Sequence, residues 1–160
     1  MLNIRFLTTG SLKEAYWRDA LGEYSKRLGG LCRFTCTEFK EVRLSDPPSQ
    51  AEIDAALDAE GDKILAEFSP RAYKIALCVE GKQLSSEELA AKLEQVSAVS
   101  SDVIFVIGSS YGLSPRVKQA CDLRLSVSKL TFPHQLMRVL LAEAVYRALN
   151  IVKGTRYHKS

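Results

Sequence analysis

Between the apolar run Ile104 to Ile107 and the pair Ser114-Pro115 lies Gly108-Ser109-Ser110-Tyr111-Gly112. A serine flanked in this way is the pattern of a nucleophile elbow, and Asp122 and His134 follow in hydrolase order. A serine hydrolase on Ser110, Asp122 and His134 is therefore one reading of the chain. Against it, Ser114-Pro115 opens the next helix several residues late, no His-Gly-Gly-Gly type segment precedes the loop, and 160 residues is short for that fold. The other use of such a loop is to hold a ligand. No Gly-x-Gly-x-x-Gly and no Gly-x-x-x-x-Gly-Lys-Ser/Thr is present, which removes the common dinucleotide and triphosphate cradles. In a parallel sheet, however, loops after neighbouring strands make a crevice at the carboxyl ends, where ligands bind. Three segments qualify: the one after Leu77, the one at Gly108, and Val127-Ser128-Lys129-Leu130-Thr131-Phe132. A small, rather apolar cofactor suits them.

The segment Lys153-Gly154-Thr155-Arg156-Tyr157-His158-Lys159 interleaves cations with an aromatic ring, a combination that grips phosphate while stacking a base. A frayed terminus is the plainer reading. From Gly112 onward the formal charge is +7, against −4 for the remainder. That asymmetry suits a basic face meeting phosphate, although a solvated helix surface has the same signature. A non-catalytic RNA-binding module is thus a further alternative. Pro133-His134 reads as a turn feeding a helix, and a structural role for this histidine is as well supported as a catalytic one. The four cysteines, Cys32, Cys36, Cys78 and Cys121, lack metal-ligand spacing and stand far from His134 and His158, so no metal site and no disulfide framework is expected. No apolar run approaches the roughly 20 residues of a membrane span, and no signal-peptide pattern opens the chain, so a cytoplasmic protein is expected.

The elements that must position these residues alternate. Asn3 to Thr8 reads as a strand, and the stripe Trp17, Ala20, Leu21, Tyr24 and Leu28 as an amphipathic helix. Strands follow at Cys32 to Phe39, Tyr73 to Val79, Asp102 to Ile107 and Leu123 to Val127. Ser49 to Phe68 is helical in pattern, with Gly61 weakening it by about 1 kcal/mol relative to alanine. Leu84-Ser85-Ser86-Glu87-Glu88-Leu89 combines a capping box with a hydrophobic staple, and Ser114-Pro115 supplies an N-cap and an N1 proline. The class is α/β, a mostly parallel sheet with helices on both faces, and residues 1–160 form a single domain. The last helix, about His134 to Val152, carries Leu136, Met137, Val139, Leu140, Leu141, Ala144, Val145, Ala148 and Leu149. A helix apolar nearly all round needs cover on more than one side, and a second copy of the chain is the natural cover, which predicts a homodimer.

The most specific block, Thr131-Phe132-Pro133-His134-Gln135-Leu136-Met137-Arg138 with Glu143, Tyr146-Arg147 and Tyr157-His158, resembles the small ribosomal RNA methyltransferases of the SPOUT superfamily, specifically the RlmH family. The similarity extends to Gly10-Ser11-Leu12-Lys13-Glu14, Tyr16-Trp17, Glu23-Tyr24, Glu60-Gly61 and Gly81-Lys82. It implies an S-adenosylmethionine-dependent enzyme that methylates N3 of a pseudouridine in 23S large-subunit ribosomal RNA, acting on the assembled ribosome. It also implies a C-terminal trefoil knot whose loops hold the cofactor at Leu77, Gly108 and Val127 to Phe132, and an active site shared between subunits. For that reaction the cation and aromatic pattern of the tail makes Arg156, Tyr157, His158 and Lys159 the expected RNA-binding residues, with His158, Tyr157 and Arg138 as catalytic candidates and Lys159 and Arg156 as further candidates for the proton step. The family often has a second glycine where this chain has Ser109; a positive φ there would strain the serine or shift the loop.

Overall fold

A computed structural model describes residues 1–155 and Tyr157. Strand and helix alternate as β1 (Asn3–Thr9), α1 (Ala15–Leu28), β2 (Arg33–Phe39), α2 (Gln50–Ala66), β3 (Tyr73–Gln83), α3 (Ser86–Ser97), β4 (Asp102–Ile107), α4 (Pro115–Ala120), β5 (Leu123–Ser126) and α5 (His134–Lys153). All five strands are parallel, in the order β2-β1-β4-β3-β5. One face of the sheet is covered by α1, α3 and α5, and the other by α2 and α4. That is why β4 has no polar alternation: Val103 to Ile107 are all buried, three on one face and two on the other. Phe6 meets the rings of Phe34 and Phe105 edge-on at 4.8 and 5.6 Å, pairs worth about 0.5–1.5 kcal/mol each beyond simple burial.

The caps follow the sequence. Ser85 accepts the N–H of Glu88 at 3.0 Å while the Glu88 carboxylate accepts the N–H of Ser85, and Ser114 caps α4. Ser49 and Glu52 form a second capping box at the start of α2, each box worth roughly 1 kcal/mol to its helix. Gly61 has a packing reason: a Cβ there would fall 2.7 Å from the Ser114 hydroxyl, so the missing side chain lets α2 close on α4.

Two elements differ from the sequence-based expectation. Strand β3 does not stop at Val79. It makes an excursion after Leu77 and rejoins the ladder at Lys82, so that Leu77 and Lys82 both face Leu125. Gly81 permits this, since a Cβ would lie 2.8 Å from the backbone of Arg124. Helix α5 is covered on one flank more fully than predicted, by α1 and α3 as well as the sheet, which bury Leu141, Ala142, Val145, Ala148 and Leu149. Leu136, Met137, Val139, Leu140 and Ala144 remain half-buried. Among the described residues, no helix is long and apolar enough to cross a membrane.

Candidate active site

The carboxyl ends of β3, β4 and β5 converge on a cavity of about 670 Å³, within the range of small-molecule sites. Leu77, Gly108, Val127, Ser128, Leu130, Thr131 and Phe132 all line it. The sequence therefore named residues up to 55 positions apart that fold around one space. Lys129 is exposed and is not part of the lining.

Each wall has a local cause. The β3 excursion turns Cys78, Val79 and Glu80 toward the cavity, with Glu80 held by Lys118 at 2.6 Å. Gly108 is set so close to Gly112 that a Cβ would lie 2.2 Å from the Gly112 carbonyl oxygen, and Gly112 itself turns at φ +91°. The third wall folds on itself: the Ser126 hydroxyl donates to the Ser128 carbonyl, and the Leu130 N–H donates to the Ser128 hydroxyl, both at 3.0 Å. Ser109 is not strained, because positive φ angles among the described residues fall only on Gly10, Gly112 and Gly154.

The loop is braced from behind by Glu60, which sequence reading did not single out as a site residue. Only 4 % exposed, it accepts the Val42 N–H at 3.0 Å and faces the Ser109 side chain. Burial pushes its carboxyl pKa up, the Val42 N–H opposes that, and the neighbouring Glu41 charge adds to it. A buried glutamate between two loops has no local sequence signal.

The same geometry removes the hydrolase triad. Asp122 sits at the amino end of the sheet, where its N–H donates to the Lys74 carbonyl and its carboxylate accepts the Lys74 N–H, both at 2.8 Å. Ser110 is exposed beyond the carboxyl end of β4. Lys74 pairs in register with Ile104, so at least about 10 Å of strand separates that aspartate from the serine. The four cysteines are free, and burial pushes the Cys32 thiol up to about 11 and that of Cys121 to about 12.

The remaining sequence candidates lie elsewhere. Arg138 is 1 % exposed, ion-paired with Glu38, and donates to the Gly10 carbonyl at 3.1 Å; its Nε has no partner. It ties α5 to the carboxyl ends of β1 and β2 and does not line the cavity. Tyr157 packs on α5: its hydroxyl donates to Glu143 at 2.8 Å, its ring meets Tyr146 at 4.7 Å, and the Arg147 guanidinium lies 4.7 Å from its centre. Tyr24 shares this cluster, its hydroxyl pushed up to about 12 by burial and by Glu143. Arg156, His158 and Lys159 lie outside the described residues. Part of the expected basic face is spent in pairs, since Arg116, Lys118, Arg138 and Arg147 each hold a carboxylate, whereas Arg124, Lys129 and Lys153 form no ion pair among the described residues.

Comparison with known proteins accords with a ligand crevice at the strand ends. A family model described as "Predicted SPOUT methyltransferase" matches residues 2–158. The chain belongs to the SPOUT methyltransferases. Among its curated SPOUT relatives, a protein of Streptococcus thermophilus named "Ribosomal RNA large subunit methyltransferase H" is 46 % identical, over 99 % of this chain and all of the relative. Proteins of the same name from Levilactobacillus brevis and Limosilactobacillus reuteri are 43 % and 42 % identical over the same shares.

Proposed function

We propose that this SPOUT methyltransferase transfers a methyl group from S-adenosylmethionine to N3 of a pseudouridine in 23S ribosomal RNA, on the assembled ribosome and hence in the cytoplasm. The observation that carries the reading is the single cavity at the ends of β3, β4 and β5, in a chain 46 % identical along its length to a large-subunit ribosomal RNA methyltransferase.

The cavity suits the cofactor. Its size fits a nucleoside-bearing ligand, its walls are mostly backbone and apolar side chains, and Gly108 leaves space that a Cβ would fill. Leu77, Gly108, Val127, Ser128, Leu130, Thr131 and Phe132 would hold it. When bound, S-adenosylmethionine supplies an electrophilic methyl group on a sulfonium. The protein's task is then to orient the acceptor ring and to ease removal of its N3 proton, which costs about 1.4 kcal/mol per pH unit that its pKa lies above the medium. Lys159, Arg156, His158 and Arg138 are the candidates for the base and the cations of that step, with Tyr157 beside the first three in sequence.

The reading takes residues 1–160 as one domain whose C-terminal segment threads a trefoil knot. In support, α4 lies on one face of the sheet, β5 at its edge and α5 on the other face, so the chain returns past the loop after β4. The working unit is a homodimer through the half-buried flank of α5. Tyr157 docks on Glu143, nine residues along α5 from His134 at the cavity, which at about 1.5 Å per residue is about 14 Å.

The test is methyl transfer to ribosomes lacking the modification, with the product nucleoside identified by mass spectrometry. Deleting residues 156–160 should reduce transfer at least about tenfold, equivalent to roughly 1.4 kcal/mol of transition-state stabilisation, and leave cofactor affinity by calorimetry nearly unchanged. Methyl on another nucleotide would overturn the substrate assignment, and full activity after deletion would remove the tail from the mechanism.

A further inference from the structure

A second cavity, of about 560 Å³, opens beside the first at the carboxyl ends of β1 and β2. The two share Tyr111 and His134 in their walls. Its own lining comes from Gly10 to Lys13 and from Glu38 to Leu44, and it brings the exposed Lys13, Lys40 and Arg43 to one opening. These cations differ from three of the C-terminal half. Arg116, Lys118 and Arg147 are each ion-paired, whereas no carboxylate among the described residues pairs with Lys13, Lys40 or Arg43. Two carboxylates enter the lining. Glu38 is neutralised by Arg138, and Glu41 points toward Gly10, where its Oε2 and the His134 Nε2 lie 3.5 and 3.6 Å from one point, the position a Gly10 Cβ would take.

Three unpaired cations at the mouth, a half-exposed aromatic ring on the inner wall and two hydrogen-bonding side chains at the floor are the components of a single-stranded nucleotide site. Cations take the phosphates, a ring stacks on the base, and acceptors meet ring N–H groups. The cavity also shares its Tyr111 and His134 wall with the cofactor space, so a base seated in it lies beside that space. We propose that this second cavity is the acceptor subsite, taking one unpaired pyrimidine nucleotide with the phosphates on either side of it, with Lys13, Lys40 and Arg43 on the phosphates and Tyr111 against the base. The assignment rests on the methyl-transfer reading and adds to it the surface that meets the RNA. The buried Glu60 supports it, because it joins Val42, in the wall of this cavity, to Ser109 in the wall of the other.

The double variant K40A/R43A tests the proposal, since both side chains are exposed and neither is in the cofactor cavity. With unmodified ribosomes and labelled S-adenosylmethionine, its KM for ribosomes should rise about tenfold, with kcat and cofactor affinity within about twofold of wild type. The plot of log kcat/KM against log salt should become shallower by about 1.4, the value for two contacts to single-stranded phosphate. Ribosome affinity without cofactor, measured by fluorescence anisotropy of labelled protein, should fall by a similar factor, and K40R/R43K should restore all three. Wild-type transfer combined with an unchanged KM and salt slope in the double variant would overturn the subsite and leave the methyl-transfer reading intact. A double variant that dissociates into monomers with its salt slope unaltered would assign this surface to contact between copies and equally overturn the proposal. If the wild-type protein transfers no methyl group to ribosomes, the underlying reading falls, and the subsite with it.

Discussion

The two cavities at the carboxyl end of the sheet share a wall and are built by opposite means. The larger, lined by residues 77–137, is shaped by backbone: a strand excursion, a glycine pressed against a carbonyl, and a loop closed on its own serines. The smaller, lined mainly by residues 10–44, is shaped by exposed charged side chains on the loops after β1 and β2. The first kind of site is sensitive to a single added methyl group. The second tolerates changes of size and responds to charge and salt.

The sharpest way to break this contrast is Gly108→Ala. With backbone only 2.2 Å from the new Cβ, the loop must shift, and cofactor affinity by calorimetry should fall about a hundredfold, ~2.7 kcal/mol, while the thermal melt stays cooperative. Near wild-type affinity would show that the cavity is not fixed by that approach. Next in size is Arg138→Met, which leaves the Gly10 carbonyl without its donor and Glu38 without its partner. Because Glu38 is exposed, the cost should stay near ~2–3 kcal/mol in urea unfolding, below that of a fully buried pair. The same variant should weaken ribosome binding more than cofactor binding; equal losses would mean that the two cavities are one mechanical unit.

Glu60→Gln is the subtlest. Burial raises the folded-state pKa of Glu60 above the unfolded value of about 4.3, so the folded protein holds this proton more tightly than the unfolded chain does. The stability this contributes is present below about pH 4 and lost as pH rises through the folded pKa. Glutamine does not titrate, so the stability of the variant relative to wild type should climb as pH rises from about 4 through the folded pKa. A difference independent of pH would mean that Glu60 is not perturbed by burial.

The first cavity was legible in the sequence and the second was not, for a physical reason. Strand ends announce themselves through β-branched runs halted at Gly108 or before Ser128, and a parallel sheet brings such ends together whatever the loops contain. Lys13, Lys40 and Arg43 stand in the half of the chain with net charge −4, and only the pairing of β1 with β2 brings their loops together. Charge summed along the chain points to the C-terminal half, where Arg116, Lys118, Arg138 and Arg147 are committed to carboxylates. Ser85 with Glu88 stands out as a cap because Leu84 and Leu89 staple it, whereas Ser49 with Glu52 opens a helical pattern that runs on to Phe68. Gly61 read as a flaw in α2 because the atom it makes room for, the Ser114 hydroxyl, lies 53 residues away in sequence.

Helix α5 has a consequence for how the protein is made. The core between the sheet and α2 with α4 is complete in residues up to Cys121, whereas the opposite face needs Leu141, Ala142, Val145, Ala148 and Leu149. At roughly 5–20 residues per second, the 33 residues from Cys121 to Lys153 take roughly 2–7 s to synthesise. During that interval one side of the nascent sheet has both its helices, while the other has α1 and α3 but lacks α5, which packs against both. A chain interrupted in this window would carry an intact half-core and an aggregation-prone open face, making it a natural client for chaperones.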